Sequence, residues 1–319
     1  MKADIKIEKN VPMRKHTSFK VGGVADYFAK PSSLEEFMLL IKKFGGEKLT
    51  HGTLSNLDEK KSLYENRMPF TIIGGGTNLL VRDNGIRGLV ISLGYMKNEI
   101  QIEDINSKQV KVSASAGTNL STLCRKTIKL GLEDLSFAAG IPGTVGGAVM
   151  MNAGTGLGTI SDYLTSIDIL DRDNNIKTLD KSELIFSHRK LEFKNFPIKP
   201  IILRASFLLT KGSREKVENS WRTLIEKRRA SQPHGFPSAG CFFKNPDIGD
   251  LSAGQLIDMS GLKKKRVGDA MVSDKHANFI LNLGNATASE IITLKDIVKE
   301  SVFQKFGIML SEEVIIQGE

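Results

Sequence analysis

Four stretches of the chain combine residue types that can do chemistry. The first, Gly74-Gly75-Gly76-Thr77-Asn78-Leu79, follows directly on the apolar run Thr71-Ile72-Ile73. Three consecutive glycines remove every side chain, which lets backbone N–H groups approach an anion closely. Thr77 and Asn78 add hydrogen-bonding groups, although a tight structural turn accounts for the same residues equally well. The second stretch is Gly140-Ile141-Pro142-Gly143-Thr144-Val145-Gly146-Gly147, continuing to Met151-Asn152-Ala153-Gly154. It fits neither G-x-G-x-x-G nor the G-K-[ST] ending of a phosphate loop. Two glycine-rich cradles of neither type suggest a long diphosphate ligand wrapped by loops from different strands, and a flavin dinucleotide fits that description.

The third stretch, Ser238 to Pro246, sets the thiol of Cys241 in a small-residue turn, followed by Phe242, Phe243, Lys244 and Asn245. Such a thiol can serve as an acid beside an anionic substrate, and a structural cysteine is the alternative. The fourth, Val272 to Ile280, puts His276 and Asn278 in a polar turn before a buried strand. A single histidine there is more often a hydrogen-bonded structural residue than a ligand. None of His16, His51, His188, His234 and His276 has a partner at ligand spacing, so no metal site is expected.

Bulk properties narrow the classes. The net charge of +9 favours polyanionic partners. However, the basic runs Lys227-Arg228-Arg229 and Lys263 to Arg266 are short, and one Trp with four Tyr gives little stacking surface, so nucleic acid is not expected. Residues 135–151 are uncharged and mostly apolar or small, yet their glycines and Pro142 suit a loop better than a membrane span. The N-terminus has no apolar core of a secretory signal. Cys124 and Cys241 are too few for a disulfide framework, which fits reduced thiols in a cytoplasmic protein. A monomer is expected.

These residues need elements to position them. Ser32 and Ser33 precede Glu35 and Glu36 by three residues, and apolar positions recur at helical spacing, so a helix is expected over 32–44 with Gly45-Gly46 as its stop. The polar stretch 47–67 reads as an excursion. Strands are expected at 71–73, 89–93, 110–116, 165–171 and 201–209, with a helix at 119–130 ending at Gly131. A basic helix spans 214–229, a helix capped by Thr287 and Glu290 runs to Gly307, and Glu313-Val314-Ile315-Ile316 forms a last strand. Strands and helices mix without regular alternation, which makes the fold class α+β.

At these residues the chain resembles the UDP-N-acetylenolpyruvoylglucosamine reductase (MurB) family. The likeness runs through His16 to Gly23 (HTSFKVGG), Gly74 to Asp83 (GGGTNLLVRD), Ala116-Gly117, Gly140 to Gly154, Ser238 to Pro246, Ser252 to Gly261 (SAGQLIDMSG), Lys275 to Phe279 and Glu313-Val314. The resemblance implies a two-part FAD-binding region of the MurB / PCMH-like type, over 1–70 and 71–212. A C-terminal α+β substrate domain follows over 213–319. Pro246 leads within a few residues to Ser252 with no long loop between, as in the shorter form of the family. FAD is then expected at Gly74, Gly75, Gly76, Thr77, Asn78, Leu79, Ala116, Gly117, Gly140, Pro142, Gly143, Thr144, Gly146, Gly147, Asn152 and Gly154. The UDP-sugar is expected at Lys244, Asn245, Gln255 and His276.

The same resemblance implies NADPH as reductant and UDP-N-acetylglucosamine enolpyruvate as substrate. Hydride would pass from reduced flavin N5 to C3 of the enolpyruvyl group. Arg189 matches the arginine of the family's Tyr-Arg pair, and its planar fork suits the carboxylate and enolate. Glu313 would stabilise the same intermediate as a protonated acid. Cys241, where the family has serine or cysteine, would protonate C2. The chain departs from the pattern at His188, where tyrosine is usual, and at Lys264, where a glycine is common. Competing readings are a flavin oxidase on a similar scaffold, a non-catalytic nucleotide-sugar binder and a basic RNA-binding module.

Overall fold

The computed structural model describes residues 6–45, 68–96, 99–196, 198–247 and 249–319, so the polar excursion at 47–67 lies outside the described residues. The chain forms two compact units. The first comprises Met1–Lys9, Tyr27–Gly75 and Gly88–Glu226, and the second Asn10–Asp26, Gly76–Arg87 and Lys227–Glu319. These boundaries do not coincide with contiguous segments ending at 70 and 212.

In the first unit a five-stranded antiparallel sheet runs in the order Ile176–Asp180, Leu164–Leu170, Ile201–Thr210, Gln109–Ser115, Ile100–Asp104. Its register pairs Ala205 with Ala114, Phe207 with Val112 and Leu209 with Val110. The two-residue period therefore puts all six on one face, and all six are buried. The helix Leu120–Lys129 buries Leu120, Leu123, Cys124 and Ile128 in the same core, and Gly131 follows it at φ +69°. Phe70–Ile73 pairs in parallel with the strand Ile86–Ser92, with Phe70 opposite Leu89 and Ile73 opposite Ser92. The expected helix at 32–44 forms as Leu34–Leu40, continued by a wider π-turn over Ile41–Gly45. Ser33 caps it by accepting from the Glu36 amide, and Glu36 accepts from the Ser32 amide.

In the second unit the long helix Ala288–Phe306 starts in the expected box, in which Thr287 and Glu290 each accept the other's amide. It ends at Gly307, whose φ of +68° is the left-handed stop that glycine adopts freely. Arg266–Val267, Ala270–Val272 and Ile280–Asn282 form a three-stranded antiparallel sheet. The last strand is Ile315–Gln317, later than expected, and it pairs in parallel with Leu79–Val81. Glu313 and Val314 therefore precede it. This pairing, with Phe19, Val21 and Leu80 buried among Leu256, Ile291, Leu294 and Val314, recruits the early segments into the C-terminal core. Strands and helices are mixed in both units, as an α+β class requires. Among the described residues, no helix is long and apolar enough to cross a membrane.

Candidate active site

The glycine-rich loops of the first unit are locked together through their backbones. After the strand Gln109–Ser115 the chain turns, and the carbonyls of Ala116 and Thr118 accept from the amides of Gly146 and Val145, each at 2.8 Å. The Leu120 amide in turn donates to Gly143 at 2.9 Å. A Cβ on Gly146 would lie 2.8 Å from the Cβ of Ala116, and one on Gly74 would run into the Thr144 hydroxyl. These two glycines are needed for close approach of one loop to another. The first amides of the helix Val145–Met150 hold the 116–118 loop instead of pointing at an anion, a difference from the simplest reading of the glycines.

The geometry still fits a dinucleotide. Gly140 and Gly143, at φ +74° and +110°, keep the second cradle in turns that side chains resist. Thr118 is fully buried beside the second cradle, where its carbonyl accepts from the Val145 amide, and its hydroxyl has no hydrogen-bond partner among the described residues. Buried hydroxyls are normally satisfied, so this one is a polar group that a bound ligand would complete. Composition alone did not mark it, although it follows Ala116-Gly117 directly.

Asn152 and Arg189 also belong to this unit. Ser187 pairs with Lys190 across the hairpin of Leu184–Ser187 and Lys190–Phe193, so His188 and Arg189 form a two-residue turn. Arg189 takes φ +57°, a left-handed conformation that costs a residue with a Cβ about 1–2 kcal/mol. His188 is exposed and Arg189 half-buried. Asn152 is buried at φ +39°, and its side chain accepts from the Ser161 amide and donates to the Ser187 carbonyl. Gly154 packs on the neighbouring hairpin strand, where a Cβ would lie 2.6 Å from the Gly158 carbonyl.

In the second unit, the segment from Cys241 to Lys244 is the middle of three extended pieces. On one side the Phe242 amide donates to the Asn278 carbonyl, and the Asn278 side chain exchanges two hydrogen bonds with the backbone of Phe243. Cys241 pairs with Phe279 on that side. On the other side Phe243 pairs with Glu312, and the Glu313 amide donates to Phe242 at 2.8 Å. The structure thus brings Cys241 and Glu313, 72 residues apart in number, onto adjoining backbone segments. Both are half-buried. The Glu313 carbonyl also accepts from the Asn78 side chain at 3.0 Å. Gly76 reaches φ +61° where a Cβ would strike the His16 carbonyl, which gives the early HTSFKVGG motif a structural partner.

The expected substrate residues flank this array. Asn245 and Gln255 use their side-chain oxygens at the start of the helix Ala253–Met259, Asn245 on the Ala253 amide and Gln255 on Ser252. Among the described residues, their amide nitrogens are the groups left for a ligand. His276 packs edge-on against Phe279 and accepts the Asn278 amide on Nδ1, which puts its proton on Nε2. Burial holds its basicity below the usual histidine value, with a further push from Lys263. Lys244 is half-buried, its amide bonded to Ser311.

Sequence reasoning passed over Glu312 and its partners. Lys299 and Lys295 approach Glu312 at 2.9 and 3.4 Å from the long helix. Burial alone would raise the Glu312 carboxyl, but the hydrogen bond from Lys299 and the charges of both lysines outweigh it and hold the group low. The pair thereby fixes the residue before Glu313. No spacing in the sequence could have joined position 312 to 295 and 299, because the loop between them reverses the chain.

Comparisons with known proteins agree with this geometry. The C-terminal domain of UDP-N-acetylenolpyruvoylglucosamine reductase matches residues 232–317, and an FAD binding domain matches residues 60–180. UDP-N-acetylenolpyruvoylglucosamine reductase of Desulforamulus reducens is 42% identical over 98% of this chain and 94% of its own. That of Clostridium novyi is 40% identical over 98% of this chain and 92% of its own. The crystal structure of the Thermus caldophilus reductase (MurB) superposes with a TM-score of 0.77 at 32% identity, covering 98% of this chain and all of that one. Identity sustained over almost the whole length shows that the chain belongs to the UDP-N-acetylenolpyruvoylglucosamine reductase family and is a flavin-dependent oxidoreductase.

Proposed function

We propose that the protein uses NADPH to reduce UDP-N-acetylglucosamine enolpyruvate to UDP-N-acetylmuramate, acting as a monomer in the cytoplasm. The observation that carries this reading is the backbone pairing that brings the segment of Cys241 and the segment of Glu313 together in one folded unit. FAD would be held by the side-chain-free loops at Gly74-Gly75, Ala116-Gly117 and Gly140 to Gly147, with Thr118 supplying a hydroxyl. When bound and reduced, the flavin supplies hydride for C3 of the enolpyruvyl group.

The side chains handle charge and the proton. Arg189 offers its guanidinium to the substrate carboxylate and to the negative charge that builds on the enolate oxygen. Glu313, as a neutral acid, shares that charge through a hydrogen bond. The Cys241 thiol gives its proton to C2, and the thiolate is reprotonated from solvent, so one hydride and one proton are added across the double bond. Lys244, Asn245, Gln255 and His276 are assigned to the UDP-sugar, with His276 contributing a neutral Nε2–H donor.

The test is NADPH oxidation by the FAD-reconstituted protein with and without the enolpyruvyl sugar. Oxidation that depends on the sugar establishes the reaction. Oxygen consumption with an alcohol or sugar donor, and none of that dependence, would instead establish an oxidase.

A further inference from the structure

We propose that Asn78 couples the flavin turn to the strand that follows Glu313, so that FAD binding and closure of that strand favour one another. The coupling presupposes the assignment of Gly76, Thr77 and Asn78 to FAD.

The turn from Gly76 to Asn78 has its oxygens occupied from outside. The Ser18 amide donates to the Gly76 carbonyl at 3.0 Å, and the Ser18 hydroxyl donates to the Thr77 carbonyl at 3.4 Å. The Asn78 carbonyl accepts from the Ile315 amide at 3.1 Å. By contrast, the amides of Gly76 and Asn78 meet no acceptor among the described residues. Carbonyl oxygens repel an anion and N–H groups attract it, so a turn with its oxygens tied back and its amides open suits a diphosphate. One of those three ties comes from the strand Ile315–Gln317.

Asn78 meets that segment twice. Besides accepting from Ile315, it donates Nδ2 to the Glu313 carbonyl at 3.0 Å, which brackets Val314. The pairing continues along Leu79–Val81, and the Arg82 amide donates to the Gln317 carbonyl at 2.9 Å. Yet Ile315–Gln317 is only three residues long, pairs with one strand among the described residues, and leaves Ile315 44% exposed. So short a strand with a single neighbour opens at lower cost than the whole unit. Opening releases the Asn78 carbonyl and side chain together, and the turn loses a tie on its oxygen side. A ligand that needs the tied turn binds the closed form more tightly. By linkage its binding then favours closure by the same factor. Loading of the cofactor thereby steadies the segment that carries Glu313.

The test is residue-resolved hydrogen–deuterium exchange of the full chain, stripped of flavin and then saturated with FAD. The Gly76 and Asn78 amides report on the turn, and those of Ile315 and Arg82 on the pairing. Leu294 and Val298, in the long helix, report on the unit as a whole. Exchange at Ile315 and Arg82 should slow about 5- to 150-fold on loading, beyond any slowing at Leu294 and Val298. The converse arm is FAD affinity, read from flavin fluorescence. Ile315→Pro removes the amide that donates to Asn78 and should weaken FAD by about 5-fold or more. Ile315→Ala keeps that amide and should stay within about 2-fold of wild type. Protection at Gly76 and Asn78 with none at Ile315 overturns the coupling. So does uniform slowing across the unit, or a proline variant that binds FAD as tightly as the alanine variant. If FAD binds and neither Gly76 nor Asn78 is protected, the assignment of the turn fails and the coupling with it. Should the proline variant not fold, exchange in the wild-type chain decides alone.

Discussion

The amide of Glu313 donates to the carbonyl of Phe242 at 2.8 Å, which ties Glu313 to the residue next to Cys241. The opposite edge of the same segment is held by Asn278, through its carbonyl to Phe242 and its side chain to Phe243. A side chain mounted on a segment paired along both edges has little freedom to wander, which suits a proton donor that must deliver to one face of a planar carbon.

Cys241→Ala should separate the half-reactions. Flavin reduction by NADPH needs no proton from this residue and should stay within about 2-fold of wild type, whereas reoxidation by the enolpyruvyl sugar should slow by about 10²- to 10⁴-fold. Cys241→Ser should retain more activity than the alanine variant, since the hydroxyl keeps a transferable proton. Stopped-flow flavin absorbance reads both steps. Equal losses in the two steps would remove the thiol from the proton transfer.

The two cysteines should differ sharply toward thiol reagents. Cys124 is buried in the core of the first unit, and burial pushes its thiol up to about 12. Cys241 is half-buried in the second. A disulfide reagent near pH 8 should label one thiol in the native protein and two after unfolding, and Cys241→Ala should abolish the native signal. Labelling of Cys124 in the folded state would contradict its packing.

What was legible in the sequence divides by distance along the chain. The box of Thr287 and Glu290 and the stops at Gly131 and Gly307 depend on residues within a turn of one another, and they appear where expected. The glycine-rich loops were legible as close-approach backbone, but their partners were not. Nothing local in Gly146 says that its neighbour is Ala116. The start of the long helix is a similar case, because Asp83, more than two hundred residues earlier, accepts from the amides of Ala288 and Ser289. Recruitment of residues 10–26 and 76–87 into the second unit follows from such long-range pairing, chiefly Leu79–Val81 with Ile315–Gln317. Hydrophobic pattern cannot choose between partners of equal apolarity, so contiguous boundaries were the natural reading.

Stability should depend on pH through His276. Burial lowers its proton affinity in the folded protein, so the neutral ring is the form the fold prefers. Below the ordinary histidine value of about 6.5 the unfolded chain takes up a proton that the folded one resists. The contribution is therefore complete above that value and is lost as pH falls through the lower folded value. Urea midpoints at about pH 7.5 and about pH 5.5 should fall further for the wild type than for His276→Gln, in which this titration is absent. An equal fall in both proteins would show that the imidazole is not the group responsible.

Lys264 offers a test by stabilisation. It stands where a glycine is common in the family's Gly-Leu-Lys-Gly turn, and it takes φ +65° directly after a turn in which Gly261 has φ +73°. Its amide donates to the Val272 carbonyl at 2.9 Å, which holds the backbone in place whatever the side chain, and the residue is exposed. A Cβ in this conformation costs about 1–2 kcal/mol, offset in part by the extra chain entropy that glycine brings to the unfolded state, about 0.5–1 kcal/mol. Lys264→Gly should accordingly raise stability by about 0.5–1 kcal/mol, seen as a higher urea midpoint at unchanged slope. Lys264→Ala, which keeps the Cβ and loses the charge, should show no such gain. A gain of equal size in both variants would assign the effect to the removed positive charge beside Lys263, Lys265 and Arg266 rather than to the backbone.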